Sequence, residues 1–127
     1  MSIREERCQR LLNLSVEHIK KQGKESADDY RCMYQNPDGS KCAAGIFIDN
    51  YDPAMEGKNF VELVTLYRSA LTQDAVKEPY FISRVLQCAH DDAAWHANFV
   101  ERYECRLEFL LNIWNTDHGM TLTIPLN

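Results

Sequence analysis

The chain lacks a surplus of positive charge: 14 lysines and arginines face 19 aspartates and glutamates, for a net charge of -5. Neutralising the phosphates of a duplex needs the opposite balance, so direct duplex binding is not expected. Long apolar runs are also missing. None approaches the roughly 20 residues that cross a bilayer, so no membrane role is expected. The N-terminal segment carries Arg4, Glu5, Glu6 and Arg7 where a secretory leader would be apolar. Neither internal repeats nor low-complexity stretches occur. There is no phosphate-binding glycine loop, no G-x-G-x-x-G, no G-x-S-x-G and no H-E-x-x-H. Each absence lowers the expectation of an enzyme, and no catalytic residue is assigned.

What is present suits one globular domain over residues 1–127, placed in the cytoplasm of a host cell. Hydrophobic residues make up 45% and charged residues 26% of the chain, enough for a core without staples. The five cysteines, Cys8, Cys32, Cys42, Cys88 and Cys105, are odd in number and read as reduced thiols. Basic residues gather in residues 1–24 and the remainder is acidic, which would attract basic partners.

Cys8, Leu11, Leu12, Val16 and Ile19 recur at helical spacing, predicting a helix over 3–22 stopped by Gly23. Tyr30 to Tyr34 alternates, Asn36-Pro37-Asp38-Gly39 is a turn, and Lys41 to Ile48 is a compact apolar run. A hairpin is expected there. Asp52-Pro53 starts a short turn. Asn59 with Glu62 has capping-box spacing before a helix ending near Thr72. Pro79 opens another helix, and residues 92–117 read as the longest. Thr121 to Ile124 alternates as a candidate last strand. The expected fold class is α+β, with about four helices on a small antiparallel hairpin-based sheet.

The block Cys32-Met33-Tyr34, Lys41-Cys42-Ala43-Ala44-Gly45 and Tyr51-Asp52-Pro53-Ala54-Met55-Glu56-Gly57 stands apart from generic helical sequence. With Ala89-His90-Asp91, it resembles an uncharacterised family of small proteins from bacteriophages and bacterial genomes. That family pattern is C-x-Y, then K-C-A-x-G, then Y-x-P-x-M-E-G. Members often have proline before the aspartate that follows the apolar stretch, whereas this chain has Ile48-Asp49-Asn50. The resemblance implies an accessory protein of a phage or mobile element. By analogy, such a protein binds and blocks a host factor, including one from a defence system.

Three constellations carry candidate chemistry. Asp49, Tyr51, Met55 and Glu56 combine apolar anchors with a charged rim, as partner-binding loops do. Arg31, Tyr34, Lys41, His90 and Asp91 are candidates for a small-molecule site, with a nucleotide-type signal as one ligand class. The third is metal: Cys32, Cys42 and His90 lack zinc-site spacing, while carboxylates at 49–56 with His90 and Asp91 would serve a metal-dependent hydrolase. No metal and no cofactor is assigned. Host-protein binding is the leading expectation, small-molecule binding or sequestration the alternative, and the hydrolase the least favoured. A pocket between the hairpin and His90 would favour the small molecule.

Overall fold

Helix α1 (Ile3–Gln22) begins where the Ser2 hydroxyl accepts the Glu5 N–H at 3.1 Å and stops at left-handed Gly23 (φ 74°). Its apolar face is buried as the spacing predicts, each large side chain contributing roughly 1.5–3 kcal/mol. Arg4 and Arg7 reach the nearly inaccessible Glu78 carboxylate at 3.0 and 3.3 Å, tying α1 to a segment more than 70 residues away. The computed structural model describes residues 1–125.

Helix α2 (Phe60–Leu66) has the expected capping box: Glu62 N–H donates to Asn59, and Asn59 N–H donates back to the Glu62 carboxylate. It ends six residues before the expected Thr72. The Asp49 N–H bonds Ala70 O at 2.7 Å and the Thr72 N–H bonds Phe47 O at 2.9 Å, drawing the chain out of the helix. After α3 (Gln73–Lys77), Pro79 opens α4, residues 79–93. Its middle, Ile82–Gln87, is π-helical, and Cys88–Ala93 returns to α-geometry. Helix α5 (Phe99–His118) ends at left-handed Gly119.

Two expectations are corrected. Residues 92–117 are not one helix. The chain breaks after Ala93, with Ala94 extended and Trp95 left-handed at φ 67°, so Asp91 and Asp92 end α4 rather than cap α5. The apolar stripes of α4 and α5 share three- and four-residue steps, which hid the break. His90 and Phe99 meet edge to face across it.

The α+β class is the second correction, since no strand or sheet exists among the described residues. Only isolated antiparallel bridges occur, Ala27 with Cys32, Gln35 with Lys41, and Ile48 with Leu71. The Asn36–Gly39 turn forms, its Gly39 N–H bonding Asn36 O at 2.8 Å. Backbone pairing is limited to the Asn36 N–H with Ser40 O and the Cys42 N–H with Tyr34 O, and side chains take groups that further strands would use. The N–H groups of Tyr34 and Gln35 bond the Glu56 carboxylate, and the Lys41 N–H bonds the Gln22 side chain. His18 and Gln22 both bond the Lys41 carbonyl. The apolar run from Cys42 folds into a single 3-10 turn (Gly45–Phe47).

The C-terminal segment is extended but pairs with no strand. The Gln9 amide donates to Thr123 O and accepts the Thr123 N–H, at 2.8 and 3.1 Å. On the opposite side the Asn115 amide makes the same pair with Leu122, at 3.0 and 3.1 Å. Two side-chain amides thus imitate neighbouring strands, and the tail is strapped between α1 and α5.

Gly45 lies against the Tyr34 backbone. A Cβ built there would meet the Tyr34 carbonyl oxygen at 2.0 Å, a clash that flexible side-chain movement cannot relieve. Gly45→Ala is expected to cost about 3 kcal/mol or more, read from the urea unfolding midpoint. An unchanged midpoint would refute this close approach.

The Glu5 carboxyl is held below the ordinary value, chiefly because the Thr121 N–H and hydroxyl donate to it. A carboxyl depressed in the folded state stabilises above its unfolded pKa and loses that contribution as pH falls through the folded value. Acidification below about 4 should therefore lower hydrogen-exchange protection at Thr121 before α1 melts. Glu5→Ala should show the low protection already at neutral pH.

Candidate functional site

The segment 31–34, Cys42, the loop 56–59, the π-helical turn of α4 and Trp95 enclose a cleft of about 480 Å³. That volume lies within the range of small-molecule sites. The π-helix turns Ser83 and Gln87 toward it, and the following turn supplies Cys88 and Asp91. A π-turn costs hydrogen-bond geometry and recurs at functional sites. Trp95 forms part of the rim with a backbone conformation that bulky residues avoid, and it is the only non-glycine residue at positive φ among those described. Both irregularities therefore fall on one cleft. Grooves of about 630 Å³ beside α1 and about 890 Å³ beside α5 are larger, but neither is lined by the π-turn or Trp95.

At the base of the cleft is a hydrogen-bonded chain. The Ser26 N–H donates to His90 Nε2 at 3.0 Å, which leaves the proton of the neutral ring on Nδ1. Nδ1–H then donates to Asp91 at 3.0 Å. The Cys32 thiol lies beside Asp91. Burial first, and the Asp91 charge second, raise its pKa far above the ordinary thiol value. Burial pushes Cys42 up to about 12, and burial followed by the Asp92 charge raises Cys88. Three uncharged thiols therefore line the cleft, and none is a ready nucleophile. All five cysteines are free.

Cys32, His90 and Asp91 place one ligand-type atom each within 4.8 Å of one another, the only such trio found among the described residues. The hydrogen bonds do not suit a metal. With Nε2 accepting the Ser26 N–H, ligation through Nδ1 would require an imidazolate or the loss of that buried bond. The 49–56 carboxylates do not join the trio, so the hydrolase set is not assembled.

The expected small-molecule residues mostly converge. Arg31, Tyr34 and Asp91 line the cleft, and His90 buttresses it from within the core. Tyr34 is itself buried, its hydroxyl donating to Lys58 O at 2.5 Å. Lys41 is not part of the lining.

The expected partner-binding residues split. Asp49 is exposed and Tyr51 is half-buried. Met55 is 1% exposed and belongs to the core, while the buried Glu56 carboxylate accepts bonds from Tyr34, Gln35 and the Tyr51 hydroxyl. Burial, then that bond to Glu56, pushes the Tyr51 phenol up to about 12. The loop turns both Met55 and the Glu56 carboxylate inward, so it offers a partner little to grip.

Ser83, Gln87, Cys88 and Trp95 were missed in the sequence. Helical spacing assigned Trp95 to a core stripe. The break beside it carries neither glycine nor proline, and Asn98 makes no side-chain capping bond. No family model, no curated protein and no solved structure matches the chain.

Removing the Met55 side chain should leave a cavity. Met55→Ala is expected to cost about 2–5 kcal/mol. Glu56→Ala should cost about 1–3 kcal/mol for each of the two backbone N–H groups it orphans. Urea unfolding measures both, and full stability in the two variants would return these side chains to the surface.

Proposed function

We propose that this protein binds a small molecule in the cleft between the Arg31–Tyr34 segment and α4. The observation that carries the reading is the convergence of the π-turn and left-handed Trp95 on that cleft. Strained backbone persists where the surroundings enforce it, and such strain concentrates at ligand sites. The reading takes the alternative from the sequence over host-protein blockade, because the Met55 anchor that blockade relied on is in the core. Binding rather than catalysis fits the protonated thiols and a His90 ring whose two nitrogens are both occupied.

A metabolite screen by thermal shift tests the reading, run on the natural chain and on Ser83→Trp. Ser83 is partly exposed and lines the cleft, so tryptophan there occupies the space with little cost to the core. Compounds should raise the melting temperature of the natural chain by several degrees and leave Ser83→Trp unmoved. Equal responses from both chains, or no stabilising compound at all, would refute the cleft as the binding site.

A further inference from the structure

We propose that the ligand of this cleft is a planar aromatic anion: a flat ring bearing a phosphate or carboxylate group. The inference rests on the cleft being a binding site.

The ring-binding surface is Trp95. It is 54% exposed, and its Nε1–H donates to Asp28 O at 3.0 Å, which tethers the indole by its edge. No aromatic ring stacks on it among the described residues. Core packing therefore does not explain why the chain holds a large side chain at positive φ. A fixed indole with an unoccupied face is a platform for a flat ring. The neighbouring walls suit the same guest, because Cys32, Cys88 and Met33 are soft, polarisable and uncharged.

The anion-binding group is Arg31. Its guanidinium makes no ion pair and no hydrogen bond among the described residues. It lies beside Gly57, where a Cβ would come within 3.7 Å of Nη1. Neither carboxylate of the cleft pairs with it: Glu56 accepts two backbone N–H groups and the Tyr51 hydroxyl, and Asp91 accepts the His90 Nδ1–H. Arg31 thus offers the mouth a forked, permanently charged donor, matched to phosphate or carboxylate.

Tryptophan fluorescence provides the test, because the chain has two tryptophans and Trp114 is only 4% exposed. The probes are adenosine monophosphate, 2-naphthoate, uncharged adenosine and a cationic aromatic, benzamidine. At least one aromatic anion should quench saturably and bind at least tenfold more tightly than adenosine or benzamidine. Saturation by the nucleotide alone identifies a phosphate ligand, and by naphthoate alone a carboxylate. Arg31→Gln should erase the preference for the anion and leave adenosine unchanged. Trp95→Gly, which fits the left-handed backbone and should fold, should lose binding of the ring-bearing probes by thermal shift. Equal affinity for neutral or cationic probes, or an Arg31→Gln variant that keeps the anion preference, overturns the proposal. If the screen then yields neutral or cationic ligands that Ser83→Trp rejects, the cleft remains a binding site and only its ligand class falls. If no probe and no screened compound binds in a Ser83-dependent way, both readings fall.

Discussion

The two oxygens of Glu56 stand where a neighbouring strand would stand. They accept the N–H groups of Tyr34 and Gln35, and one also accepts the Tyr51 hydroxyl. Buried amides left unpaired would cost about 1–3 kcal/mol each, so this carboxylate lets the short Tyr34–Cys42 hairpin curl onto the helices without a third strand. Once it curls, the Tyr34 carbonyl comes to rest on Gly45, where only a hydrogen fits. Tyr34 then points its ring at Phe60 and its hydroxyl at Lys58, closing one side of the cleft. The position of the cleft thus follows from one acidic side chain acting as a backbone substitute.

The same device recurs throughout the fold. Gln22 and His18 satisfy Lys41, and Gln9 and Asn115 satisfy the tail from opposite sides. A helical protein with long irregular connections must find partners for their amides without a sheet, and here polar side chains on α1, α5 and the 53–56 turn supply them. Their hydrogen bonds are directional, so the segments they hold have defined paths. That definition matters at the cleft, where the left-handed Trp95 carries a strain of roughly 1–2 kcal/mol that its surroundings must absorb. The Asp28 carbonyl that fixes the indole belongs to one of these side-chain-held connections.

Local features were legible because their causes lie within a few residues. Ser2 and Gly23 bound α1, Asn59 and Glu62 cap α2, Pro79 opens α4, and Asn36–Gly39 turns, each through contacts no more than four positions apart. The alternation at Thr121–Ile124 was read as a strand, which does not form. Its partners were not legible, because Gln9 lies 114 positions away and an amide side chain has no sequence period. The sheet was inferred from alternation that in fact serves side-chain pairing. Met55 and Glu56 read as readily as surface anchors as they do as core, since residue type alone leaves the direction of a loop side chain open.

By itself, then, the sequence determined α1, the capped start of α2, the start of α4, the central turn and the acidic balance, all set by backbone propensity, short-range hydrogen bonds and composition. Only the tertiary structure decided that the hairpin curls, that α4 and α5 are separate, and that Arg31, Cys32, Asp91 and Trp95 face one cleft. The physical reason is range. Caps and turns are closed by neighbours, whereas the cleft is assembled by carboxylate and amide side chains reaching backbone groups tens of residues away, and by a break at Trp95 that no local residue announces.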